Sequence, residues 1–181
     1  LERISMEIMM AKSKREVTCL TAQKGIYLAR AGAHEAAVDI SNQIRANFGM
    51  EIDAEIYTWL TLLEGIISFY SSASTREKNR ILRAHAVAKA ADRTDLQQYA
   101  AAWLAHQDFN SGNFRAMAAW LRESGLSEAI NPSARIRSCL TVADAWQCVG
   151  DDQAAAFWYS VVRKTAAEIG DRASIMASIE N

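Results

Sequence analysis

The stretch Gly25-Ile26-Tyr27-Leu28-Ala29-Arg30-Ala31-Gly32-Ala33-His34-Glu35-Ala36-Ala37-Val38 decides the fold. It holds one helical pattern, a turn, and the start of a second helical pattern. Gly25 is a small residue at which two helix backbones can approach closely. Gly32 follows seven residues later, where a glycine just past a helix end takes the left-handed conformation that closes the cap. Ala36 and Ala37 open the next stretch with small residues again. The same two landmarks return along the chain. Gly25, Gly65, Ala105 and Ala143 are spaced by 40, 40 and 38 residues, and the turn positions Gly32, Ser72, Gly112 and Gly150 keep the same spacings. Small residues also open the later second stretches, at Ala84 and Ala86, Ala116 and Ala118, and Ala154 to Ala156. Two independent landmarks on one period define a repeated helix hairpin.

The period predicts an all-α fold of about four helix pairs, at roughly 15–49, 53–92, 95–125 and 133–170. Gly49, Gly125 and Gly170 close three of them. Asp53, Thr75, Thr94 and Ser133 stand where N-caps belong. Pro132 prevents the chain from running helical through Asn131. Partial helices are expected at both ends, over 1–10, where Leu1, Ile4 and Ile8 have helical apolar spacing, and over 171–181. The chain opens on Leu1 rather than Met, so it reads as a processed product or an excised piece. The whole of 1–181 is expected to be one domain.

Composition agrees with helices. Among 181 residues, 50% are apolar and 23% charged, which supports a buried core; a single proline and eight glycines argue against a turn-rich β architecture. Twenty basic residues against twenty-one acidic give a net charge of −1, which disfavours a nucleic-acid coat or a polybasic membrane anchor. The longest apolar run, Tyr99 to Ala105, has seven residues, against the roughly 20 that span a bilayer. No signal peptide opens the chain. Three cysteines, Cys19, Cys139 and Cys148, lack metal spacing and read as reduced thiols of a cytoplasmic protein.

The turn sequences Gly25 to Val38 and Ala143 to Ala155 resemble tetratricopeptide repeats, and Ala105 to Met117 resembles them more weakly. Pair two departs most, because Ser72 to Arg80 lengthens its turn. The period near 40 is similar to the long-helix variants of that superfamily in bacterial regulatory proteins. The resemblance implies a right-handed α-α superhelix, a solenoid whose first helices line a concave groove for peptides, proteins or small ligands.

No motif carries chemistry. The chain lacks a phosphate-binding glycine loop and a nucleophile elbow. His34, His85 and His106 sit on separate pairs without metal-ligand spacing, so no metal or cofactor is expected and no catalytic residue is assigned. His34, just after a turn, reads as a solvated surface residue. Asp151 and Asp152 read as partners of a helix dipole. Phe114, Trp120, Trp146 and Phe157 to Tyr159 read as core aromatics. The first helices offer a binding stripe on each pair. These stripes are Cys19, Gln23, Ile26 and Arg30; Trp59, Leu63, Ile66 and Tyr70; Tyr99, Trp103, His106 and Asn110; and Arg137, Thr141, Asp144 and Cys148. Candidate groove residues are therefore Gln23, Arg30, Trp59, Tyr70, Tyr99, Trp103, His106, Asn110, Arg137 and Asp144, with an aromatic middle and charged ends.

A second surface competes. Arg76, Lys78, Arg80, Arg83, Lys89 and Arg93 face only Glu77 and Asp92, a local excess of positive charge suited to an acidic protein or to nucleic acid. Without interleaved aromatics for base stacking, nucleic acid is the weaker reading. The expected function is a non-catalytic helical-repeat module binding a protein, peptide or small ligand, as a scaffold or sensor region of a larger cytoplasmic regulatory protein. The alternatives are a nucleic-acid-contacting solenoid using the 76–93 basic face, and an enzyme with no recognisable motif. Ile4, Ile8, Ile175 and Ile179 are the apolar candidates for weak self-association.

Overall fold

Gly32 has φ +82°; its N–H bonds the carbonyl of Ala29, and the next N–H, of Ala33, reaches back to Leu28 at 2.9 Å. This double closure ends a helix in a left-handed residue. The same pattern recurs at Gly112, Gly150 and Gly170, and also at Asp92, whose φ is +52°. Asp92 was invisible as a repeat landmark, yet a short polar side chain is among the few that tolerate this conformation. Asp92 and Gly112 stand 20 residues apart, as do Gly150 and Gly170. The turn between successive hairpins therefore copies the turn within a hairpin. At three of these turns the next residue opens the following helix. The side-chain oxygens of Asn113, Asp151 and Asp171 accept from the N–H groups of Ala116, Ala154 and Ser174. One residue closes a helix and its neighbour caps the next.

The computed structural model describes residues 1–48, 53–71 and 75–179, without the side chains of residues 48, 75 and 76. The described residues are helical throughout and include no strand. The helices are α1 (Glu2–Met10), α2 (Lys14–Arg30), α3 (His34–Phe48), α4 (Ala54–Ser71), α5 (Thr75–Ala90), α6 (Thr94–Asn110), α7 (Phe114–Ser124), α8 (Pro132–Cys148), α9 (Asp152–Ile169) and α10 (Arg172–Ala177). A 3₁₀ turn, Leu126–Glu128, links α7 to α8. Gly49 and Ser72, read as a helix end and a turn, lie outside the described residues. The α8 cap differs from expectation. Asn131 rather than Ser133 is the N-cap, its Oδ1 accepting from the Ser133 N–H, and Pro132 occupies the first helical position, where its missing donor costs nothing. Asp53 caps α4 through the Ile56 N–H.

Internal contacts divide the chain into two units, Leu1–Arg93 and Thr94–Asn181. In the first, α2 packs on α1, α3 and α4, and α4 packs on α5. The small residues decide how closely. A methyl group at Gly25 would stand 2.9 Å from a Leu63 methyl, and one at Gly65 would stand 2.6 Å from Ile81 Cγ1. Both glycines are buried, Leu63 closing over Gly25 and Ile81 over Gly65, each with no exposure. Burial of each such side chain contributes about 1.5–3 kcal/mol. In the second unit α6 packs on α7 and α8, α8 on α9, and α9 on α10. Its core joins Ile136, Cys139, Leu140 and Ala143 of α8 to Ala155, Tyr159, Val162 and Ala166 of α9.

Two sets of expectations about apolar residues are corrected. Phe114, Trp146 and Phe157 are exposed by 57%, 42% and 61%, not core: Phe114 opens α7 and Trp146 stands in the last turn of α8, whereas Phe157 lies on the face of α9 turned away from Ala155, Tyr159 and Val162. Ile4 is buried against the rest of its unit rather than bare, and Ile8 and Ile175 are half-buried; Ile179 is exposed. On α1 the exposed apolar residues are Met6, Met9 and Met10.

Candidate functional site

The α6 and α8 helices bring four of the candidate residues into one constellation. Trp103 of α6 is fully buried, and the Arg137 guanidinium of α8 lies over its ring, 4.4 Å from the centroid. His106, one turn along α6, meets the same indole edge to face at 6.0 Å. Burial first, then the Arg137 charge, hold the His106 imidazole well below its ordinary pKa, so it is neutral at pH 7. Asp144 lies two turns beyond Arg137 on α8. Burial raises its pKa, opposed by a hydrogen bond from Tyr159 and by the Arg137 charge. The site is a cation over an aromatic plate, with a neutral imidazole and a half-buried carboxyl alongside.

Tyr159 extends this constellation into α9. Its phenol oxygen is 2.8 Å from both Asp144 Oδ1 and Gln147 Oε1. A single phenolic proton cannot serve two acceptors. The one phenolic proton goes to the charged acceptor, the Asp144 carboxylate, with the Gln147 Oε1 alongside. Burial and the Asp144 carboxylate raise the Tyr159 pKa, so it keeps its proton. The sequence reading missed Tyr159 as a polar residue of the site. Folding the hairpin about Gly150 is the signal that could have found it.

The remaining groove residues take different places. Tyr99 is 3% exposed and Trp59 6%, so both are packing residues, and the expected open aromatic middle is corrected to a buried one. Asn110 is exposed and His106 half-buried at the far end of α6. In the first unit Gln23 and Arg30 are half-buried, with the Arg30 guanidinium 5.7 Å from the Tyr27 ring centre. Tyr70 is exposed at the end of α4 and stacks against His34 at 6.1 Å. His34, expected to be fully solvated, is half-buried by this contact.

The basic face is smaller than its sequence suggests. Arg93 lies beyond α5, in the Asp92 turn, and pairs with Glu55 at 2.5 Å; Glu55 also binds Arg15. Arg80 donates to Ser68 Oγ at 2.8 Å and leans over α4. Glu77 is buried and does not share the exposed face. The Arg76 side chain lies outside the described residues. Arg83 and Lys89 are exposed on α5 and Lys78 is half-buried. Among the described residues no group of His, Cys, Asp and Glu is placed to hold a metal, and no described helix is long and apolar enough to cross a membrane.

No protein-family profile, curated protein sequence or solved structure matches the chain.

Proposed function

We propose that the chain is a non-catalytic helical-repeat binding module, built like a long-period tetratricopeptide solenoid and serving as the ligand-sensing or scaffolding region of a larger cytoplasmic regulatory protein. The observation that carries this reading is Arg137 held over the Trp103 ring, with His106 and Asp144 beside it. Preorganised Arg and aromatic groups are the residue types that concentrate binding energy. Four ionisable or polar groups of different character on two adjacent helices suit a partner with mixed polarity, such as a peptide, more than a uniform polyanion.

Peptides selected from a displayed library against the folded chain test this. Because Trp103 and Arg137 are both buried, their truncation would report on folding, so the informative variants are His106→Ala and Asn110→Ala. Selected peptides should lose affinity with these and keep it with Arg83→Ala on α5. Loss with Arg83→Ala alone moves the site to the basic face. A steep fall of affinity for generic nucleic acid with salt would then support the nucleic-acid reading.

A further inference from the structure

A hollow of about 380 Å3 runs along α9. Its floor is Asp152, Ala155, Ala156, Tyr159 and Arg163, completed by Gln147 from α8 and by Ser178 and Ile179 after α10. Positions 152, 156, 159 and 163 step by four, three and four, and Ala155 lies beside them, so they share one helical face. Two alanines in the middle keep the hollow open. Its ends carry opposite charges: eleven residues at about 1.5 Å each separate Asp152 from Arg163 by roughly 16 Å along the axis. The Arg163 guanidinium is held by a neutral group, donating to the Ser178 carbonyl at 2.7 Å. Asp152 is exposed. Among the described residues neither is paired with an opposite charge. Between them stands the Tyr159 phenol, 4% exposed and fixed by Asp144 and Gln147.

We propose that this hollow is a site for a short peptide with free termini, its carboxylate on Arg163 and its ammonium toward Asp152. Three observations converge on that chemistry. An extended chain advances about 3.3–3.6 Å per residue, so four or five residues place their terminal charges as far apart as the two ends of the floor. The volume falls at the lower end of the roughly 300–1,000 Å3 range of small-ligand pockets. The Tyr159–Gln147 pair supplies a rigid polar point midway, where a peptide group needs one. A lone anion would use Arg163 and leave Asp152 opposing it. The volume of about 380 Å3, shared among four or five residues, favours small side chains on the ligand. The hollow shares Tyr159 and Gln147 with the constellation on α8 but does not use Trp103, His106 or Arg137, so its failure leaves the proposed function standing.

Isothermal titration of the whole chain with tetra-alanine, its C-terminal amide and its N-acetyl form tests the proposal. Tetra-alanine should bind, and each capped form should bind about tenfold more weakly or worse. Arg163→Gln should erase the difference between acid and amide. Ala156→Leu fills the hollow at an exposed position, so it should keep native circular dichroism and lose binding. The proposal is overturned if tetra-alanine gives no heat at millimolar concentration, if capping either end changes nothing, or if folded Ala156→Leu binds like the parent chain.

Discussion

The Arg137 guanidinium carbon lies 4.4 Å from the centroid of the Trp103 ring, and Arg137 itself is only 9% exposed. A planar cation on an indole face combines electrostatic attraction to the ring with burial of the arginine stem. Lysine keeps the charge but has no plane to lay on the ring. Arg137→Lys should therefore lower stability by about 1 kcal/mol, and Arg137→Ala by about 2–3 kcal/mol, since it also strips cover from a buried Trp. Urea unfolding followed by circular dichroism measures both. Equal stability of Arg137→Lys and the parent would mean that the stacked geometry contributes nothing.

Gly65 gives a sharper case. Alanine is the better helix former by about 1 kcal/mol, yet its methyl would stand 2.6 Å from Ile81 Cγ1. Overpacking of this kind costs about 1–3 kcal/mol. Gly65→Ala should destabilise despite its propensity, and should cost far less in an Ile81→Ala background, where Cγ1 is gone. A double-mutant cycle measures the coupling. Independent, additive effects would place the α4–α5 contact elsewhere.

Asp92 offers the opposite change. It holds φ +52° in a turn where Gly32, Gly112, Gly150 and Gly170 do the same work. Left-handed backbone costs a non-glycine residue roughly 1–2 kcal/mol. Asp92→Gly should raise stability by about 0.5–1 kcal/mol, read as a higher urea midpoint, whereas Asp92→Ala should lower it.

These cases mark what was legible. Helix positions followed from small residues and turn glycines, because close crossings and left-handed caps admit few residue types. The Asp92 turn was not legible, since aspartate is ordinary in any loop and only its backbone conformation gives it away. The aromatic stripes were misread for a different reason. Spacing places Trp103 and His106 on one face of α6, but not how far α8 covers that face, and Arg137 does cover it. Conversely Phe157 looked like core by residue type. It lies on the face of α9 turned away from Ala155, Tyr159 and Val162, which pack on α8, and this leaves it exposed. The Asp144–Tyr159–Gln147 group depends on the register of two antiparallel helices, which no single-helix pattern contains.

The thiols separate by environment. Cys19 and Cys139 are buried, and desolvation lifts their pKa to about 12 and about 11, whereas Cys148 is exposed at the end of α8. Thiolate is the reactive form. Iodoacetamide at pH 8 should alkylate Cys148 alone in the native chain and all three cysteines after unfolding, as read by peptide mass spectrometry. Rapid native labelling of Cys139 would mean that the α8–α9 core opens readily.

His106 and Asp144 make stability depend on pH in opposite directions. The His106 pKa is depressed in the fold below its ordinary 6.5. Above about pH 6.5 both folded and unfolded chains hold it neutral, and its contribution is fully present. As pH falls from there toward the folded pKa, the unfolded chain takes up the proton first, and stability declines. Asp144 has its folded pKa raised above 3.8. Its carboxyl penalises the fold once pH rises from 3.8 through that higher value, and acidification back through the same window relieves the penalty. The parent chain should therefore weaken just below pH 6.5 through His106, with Asp144 blunting the decline at lower pH. His106→Gln should flatten the first part of the profile. Asp144→Asn, which can still accept the Tyr159 hydrogen bond, removes the relief and should fall more steeply in acid than the parent. Urea midpoints from pH 8 to pH 4 separate the two effects, and identical profiles for the parent and Asp144→Asn would mean that Asp144 is as well solvated in the fold as in the unfolded chain.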